Sequence, residues 1–190
     1  MITIQITDEE FNKCKIFSEK CDTSHYVKRN QFNEEKRKKD SLIGKIGEIA
    51  TFNYLKDKVE NLTYPDFEIY SAKNKSWDFD LKAKDRNFHV KSQDVVQGDR
   101  FGVSWIFQYG NGFNQSYDKE IFDRLTDNQF ISFVSINLET NEALIRAIVD
   151  LTFLHKKQLF KLPKLEKLQK ANKLAVYLKD LERYPESLWM

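Results

Sequence analysis

Apolar and polar positions alternate with two different periods along this chain, and the changes of period mark out its elements. Thr7-Asp-Glu-Glu10 has the capping-box pattern, and Phe11, Cys14, Ile16, Phe17 and Cys21 follow at helical spacing, which predicts a helix over 8–21. A second helix is expected after a basic stretch, capped by Asp40 or Ser41, with Leu42, Ile43, Ile46, Ile49, Ala50, Phe52 and Leu55 as a broad apolar face. Gly44 and Gly47 interrupt that helix three residues apart. Glycine inside a helix costs about 1 kcal/mol relative to alanine, so the pair points to close approach of another element beside Glu48.

From Asp66 the period becomes two. Residues 67–70 read as a short strand, and 77–83 and 88–93 alternate throughout, joined by the polar connection Lys84-Asp-Arg-Asn87 as a hairpin. Further strands are expected at 103–109, 130–137, 143–149 and 174–178, with a turn at 139–141 and helices over 119–125, 151–160 and 163–170. The order of elements predicts one domain of α/β (α+β) class, a central mixed β-sheet flanked by helices. Within it, an N-terminal helical and basic segment covers about 1–40, a core about 41–150, and a basic helical segment about 151–190.

Composition agrees with one filled core. The 190 residues are 41% hydrophobic and include 15 Phe, 8 Tyr and 3 Trp against 6 Gly and 3 Pro, which excludes disorder and collagen-like architectures. The apolar run 130–136 is broken by Ser132 and Ser135 and is far short of the roughly 20 residues of a membrane span, so no membrane partner is expected. The first ten residues lack the basic and continuous apolar stretches of a leader, and a cytoplasmic protein is expected. Cys14 and Cys21 lie seven apart on one predicted helix, too far to bond to each other, and with His25 they lack the paired spacing of a zinc site. They read as small, partly buried apolar residues.

Charge is nearly balanced, 31 basic against 29 acidic residues, but unevenly placed. One basic segment holds Lys28, Arg29, Lys36, Arg37, Lys38 and Lys39. A second runs from Lys156 to Lys173, where Lys156, Lys157, Lys161, Lys164, Lys167 and Lys170 recur at threes and fours, a stripe that on one helix can follow a phosphate backbone. If the hairpin closes symmetrically about residues 84–87, Asp80 faces Lys91, Lys82 faces His89 and Asp78 faces Gln93. All six then share one face, opposite Trp77, Phe79, Leu81, Ala83, Phe88 and Val90. Cross-strand ion pairs on a wet surface need no more than this. Two carboxylates, an imidazole, an ammonium and an amide, with Glu48 and basic segments alongside, are also the set that fixes a hard divalent cation and works on a phosphodiester.

These residues resemble the PD-(D/E)XK nuclease superfamily of restriction endonucleases and junction resolvases. Gly44-Lys-Ile-Gly-Glu48-Ile-Ala is similar to the family's helix motif, Asp78-Phe-Asp80-Leu to its aspartate strand, and His89-Val-Lys91-Ser-Gln93 to its last motif, a likeness covering about 41–108. The resemblance implies a restriction-endonuclease-like core in which Asp80 is a metal ligand, Glu48 a second ligand, Lys91 the catalytic lysine and Asp78 the rival for the aspartate. His89 stands where the family carries an acid, as a ligand better suited to Mn2+ than Mg2+, as a proton acceptor or phosphate contact, or as the mark of a degenerate site. Gln93 resembles a glutamine that some members carry after the lysine.

Beyond the core motifs, Ser104, Ile106 and Gln108 are expected on one strand face, with Trp105 and Phe107 packed on the other. Lys36, Arg37, Lys38, Gln108, Lys164 and Lys167 are candidate DNA contacts. So are Asn114 and Gln115 in an amide-rich stretch whose side chains can read adenine edges. The implied function is a Mg2+-dependent endodeoxyribonuclease of type II restriction character, a homodimer acting on double-stranded DNA. The alternatives are a structure-specific repair or recombination nuclease and a non-cutting DNA-binding module.

Overall fold

The computed structural model describes residues 1–21, 32–70, 79–109, 118–123 and 125–187. Strand β1 (Ile2–Gln5) leads into helix α1 (Asp8–Lys20), which starts at the expected capping box: Thr7 accepts from the Glu10 main-chain N–H, and the Glu10 carboxylate accepts from the Thr7 N–H. Helix α2 (Glu34–Leu55) is longer than predicted. It begins at Asn33, whose side chain accepts from the Lys36 N–H at 2.8 Å, with Glu34 and Glu35 set against the positive end of the helix. The basic residues 36–39 are therefore helical, and the expected cap at Asp40 or Ser41 lies inside the helix.

Next come β2 (Leu81–Lys82), β3 (Asn87–Asp94), α3 (Val95–Phe101), β4 (Ser104–Gln108) and α4 (Lys119–Phe122). The long strands β5 (Gln129–Asn137) and β6 (Glu142–Asp150) precede α5 (Leu151–Lys156), α6 (Glu166–Lys170), β7 (Lys173–Tyr177) and α7 (Leu178–Leu181). The main sheet has the order β1-β6-β5-β3-β2, with β3 and β5 parallel and the other neighbours antiparallel. β4 and β7 form a separate antiparallel pair. This is the expected mixed sheet flanked by helices.

The sheet divides the apolar residues between its two faces. On one, Ile43, Ile46, Ile49 and Ala50 of α2 pack with Phe88, Val134, Ile136 and Ile145. On the other, Ile131, Phe133, Ala147 and Val149 pack with Trp105 and Phe107 of β4 and Leu151 and Leu154 of α5. The structural role expected for Trp105 and Phe107 is what they have, and the Trp105 indole N–H donates to Val134 O at 3.0 Å. The helix α2 meets β3 at Gly47, where a Cβ would lie 1.9 Å from Ser92 Oγ and 3.3 Å from Val90 Cγ1. Gly44 has open space around it. Only Gly47 answers to the close approach inferred from the glycine pair.

Four expectations need correction. Residues 67–70 form no strand, because the Asp66 carboxylate accepts from the Glu68 N–H and the Tyr70 hydroxyl and folds the segment on itself. The strand expected over 77–83 is reduced to Leu81–Lys82, while residues 71–78 lie outside the described residues. The hairpin pairs Leu81 with Phe88 and Lys82 with Asn87, and the Ala83 N–H donates to Arg86 O, so the connection is tighter than four residues. The lysine stripe is broken as well: α5 stops at Lys156 and α6 starts only at Glu166, so Lys156–Lys170 is no continuous helix. Lys161 instead binds buried Asp180 at 2.8 Å.

Candidate active site

Glu48 rides on α2 one residue after Gly47, where helix and β3 are too close for a Cβ, and that contact sets it beside the start of the hairpin. Its side chain is 14% exposed, and Oε2 accepts from Lys45 Nζ at 2.6 Å. Asp80 lies just before β2, outside the ladder. Its main-chain N–H donates to Phe88 O at 3.0 Å, and Oδ2 accepts from the Val90 N–H at 2.7 Å. The carboxylate thus binds the β3 backbone where the tighter turn leaves it without a strand partner.

Burial, then the charge of Asp80, push the Glu48 carboxyl up to about 8, with Lys45 acting in the opposite sense. Asp80 keeps some surface at solvent, but its carboxyl is hemmed in by protein. Burial raises its pKa against the lowering effect of the Val90 N–H, Lys91 and Lys45, and Asp118 adds a smaller rise. Lys91 projects into the same field from β3, donating to Asp118 Oδ2 at 3.1 Å with Nζ 4.9 Å from the Phe107 ring centre. Asp118 Oδ2 also accepts from the Gln108 N–H at 3.1 Å, which fixes the acid that holds the lysine.

The structure therefore brings Glu48, Asp80 and Lys91 together, though not through the expected register. Asp80 reaches Val90 N–H from beyond the ladder rather than facing Lys91 across it. His89 is buried with its ring 4.9 Å from that of Phe79, so Phe79 leaves the apolar face assigned to it. Gln93 lies two residues beyond Lys91, and its Oε1 accepts from the Ser104 N–H at 2.9 Å, tying β3 to β4. Gln108 Nε2 donates to Ala171 O at 2.9 Å.

The candidate DNA contacts are dispersed. Lys36 pairs with Asp40 and Lys38 with Glu34 along α2, and the two lysines stand about 18 and 15 Å of helix from Glu48. Arg37 is buried, which corrects its assignment as a surface contact. Lys164 has Nζ 5.6 Å from the Tyr177 ring, and Lys167 is exposed on α6. Asp78, Asn114 and Gln115 lie outside the described residues. Cys14 is buried, its thiol pushed up to about 12 by burial, and Cys21 Sγ lies 3.3 Å from Ser41 Oγ. His25 lies outside the described residues, and His155 Nε2 lies 2.8 Å from Ile121 O, a structural contact.

Sequence reasoning missed Lys45 and Asp118. Lys45 sits between the two glycines, three residues before Glu48, and that spacing was its only signal. Asp118 reaches Lys91 from a distant part of the chain and leaves no local pattern.

A divalent cation can be tested against these groups. A pair of hemmed-in carboxyls, in which burial first and the Asp80 charge second raise Glu48, fits Mg2+, which takes one or two carboxylates and completes its shell with water and phosphate oxygen. Among the described residues, no three His, Cys, Asp or Glu side chains assemble a ready-made metal cage. No family model, no curated protein and no solved structure matches this chain. Among the described residues, no helix is long and apolar enough to cross a membrane.

Proposed function

We propose that this chain is a Mg2+-dependent endodeoxyribonuclease, of type II restriction character, cutting double-stranded DNA as a homodimer in the cytoplasm. The observation that carries the reading is the meeting of Glu48, from a helix brought in at Gly47, with Asp80 and Lys91 at one end of a sheet. Glu48 and Asp80 are the groups that would hold the cation. A bound divalent ion acts as a Lewis acid on phosphate and lowers the pKa of a coordinated water.

The chain's own residues do the rest. Lys91, carried on a strand paired along its whole length with β5, presents an ammonium to the scissile phosphate and offsets the charge that grows there. Asp118 holds that ammonium in place, between the carboxylate and the Phe107 ring. The Val90 N–H fixes Asp80 so that its carboxylate does not have to be ordered when substrate arrives. Homodimerisation follows from one site cutting one strand.

His89 supports a second reading, a DNA-binding module that keeps the fold without cutting, since an imidazole packed on Phe79 replaces the acid the family pattern calls for. The test is incubation of the purified chain with long linear, supercoiled and branched DNA in Mg2+, Mn2+ and EDTA. Discrete metal-dependent fragments from linear DNA support the restriction reading, and cutting of branched DNA alone would point to a structure-specific nuclease. Binding without cutting in either metal would favour the non-catalytic module.

A further inference from the structure

The ammonium of Lys45 is held more elaborately than a helix ion pair requires. Pairs three residues apart on a helix are ordinarily exposed and contribute a few tenths of a kcal/mol. Here the side chains are 9% and 14% exposed, and Lys45 Nζ also donates to Asp66 O at 2.8 Å. The rings of Phe17, from α1, and Phe67 lie 4.6 and 5.3 Å from Nζ and face each other edge to face at 5.7 Å. A main-chain carbonyl and two ring faces thus surround the ammonium independently of Glu48, and such faces attract a cation. Lys45 has a seat that survives the loss of its carboxylate partner.

We propose that Lys45 is the resident counter-ion of the Glu48 and Asp80 carboxylates and gives up Glu48 to an incoming divalent cation while remaining seated on Asp66 O, Phe17 and Phe67. This inference rests on the metal reading given above. Lys45 is then a positioning residue that sets the metal concentration at which the site fills. Without metal its ammonium donates to Glu48, whose carboxyl lies in the field of Asp80. With metal its bond to Glu48 is the interaction that has to be given up. A hydrogen bond between charged groups is strong enough that this exchange weakens metal binding by about tenfold or more.

The test compares the whole wild-type chain with Lys45→Met, which keeps the unbranched stem against the two rings and removes the charge, and with Asp80→Asn. Titration calorimetry with Mg2+ at pH 9, where protons compete least for the carboxylates, is expected to show binding about tenfold or more tighter in Lys45→Met and lost in Asp80→Asn. A purely structural Lys45 predicts the opposite, since loosening the helix weakens binding. In the wild type, the Lys45 side-chain NMR resonance is expected to move with Mg2+ at the midpoint of the calorimetric curve, a readout that needs no variant to fold. Equal or weaker binding by folded Lys45→Met, or an unmoved Lys45 resonance while Mg2+ binds, overturns the inference and leaves the metal site standing. Absence of Mg2+ binding by the wild type overturns both.

Discussion

Gly47→Ala places a methyl group where helix and sheet already touch, and Gly44→Ala places one where there is room. Both replace glycine within the same helix, so both gain the same propensity term of about 1 kcal/mol. At Gly44 nothing lies within 4 Å of the added carbon, and the gain stands. In a chain of this length that raises Tm by about 2–4 °C.

At Gly47 the new carbon would lie 1.9 Å from Ser92 Oγ, 3.1 Å from Ser92 Cβ and 3.3 Å from Val90 Cγ1. Among the described residues the buried Ser92 hydroxyl has no hydrogen-bond partner, so it can rotate away without losing one there. Its Cβ is bonded directly to the β3 backbone and cannot rotate away, however, so helix and strand must separate by a few tenths of an ångström. Overpacking of this kind costs about 1–3 kcal/mol. Because propensity cancels between the two variants, Gly47→Ala is expected to be less stable than Gly44→Ala by about that amount. Equilibrium denaturation followed by circular dichroism measures the difference, and Ser92→Gly in the Gly47→Ala background is expected to recover most of it, a coupling that single substitutions do not show. Equal stability of the two alanine variants, or no coupling with Ser92→Gly, would refute the account of how Glu48 is brought to the sheet.

Other expectations follow from the same geometry. The raised Glu48 carboxyl means the native state holds a proton that the unfolded chain has released. Its contribution is whole below the ordinary value of 4.5 and declines by about 1.4 kcal/mol per pH unit until about pH 8. Glu48→Gln should flatten the fall of stability over that range in denaturation curves taken from pH 5 to 9, and an unchanged slope would contradict the assignment. His89→Glu adds a carboxylate beside Asp80, so it should lower Tm without metal and recover it in Mg2+. A Tm indifferent to Mg2+ would show that position 89 does not face the cation. Asp94 caps α3 through the Val96 N–H and binds Lys39 at 2.7 Å while 6% exposed, so Asp94→Ala is expected to cost about 1–3 kcal/mol and Asp94→Asn less, because the amide retains the cap.

What was legible in the sequence was what local chemistry determines. The capping box at Thr7, the period of two over β3, the apolar runs of β5 and β6, and the apolar face of α2 are all patterns of near neighbours, and the elements followed them. The errors arose where a side chain overruled the pattern. Asn33 started α2 earlier than the first apolar residue, Asp66 curled 67–70 away from the sheet, and a tight turn moved the hairpin register by two. That shift keeps side chains on their faces, and this is why Asp80 and Lys91 still share one site although they are not direct partners. β1 carries a readable alternation of Ile2, Ile4 and Ile6, while α3 has only the Asp94 cap to announce it. Asp118 was beyond reach, because its tie to Lys91 exists only once β3 and the segment after β4 are folded together.

The central claim is that Glu48, Asp80 and Lys91 form one DNA-cutting site, and the most direct test separates binding from chemistry in Lys91→Ala. DNA retention is measured by gel shift in Ca2+, and cutting of the same DNA is measured in Mg2+, with Asp80→Ala and wild type in parallel. The account predicts that Lys91→Ala retains DNA nearly as well as wild type but no longer releases metal-dependent fragments, and that Asp80→Ala loses cutting too. Undiminished cutting by either variant would contradict it and place the chemistry elsewhere on the chain.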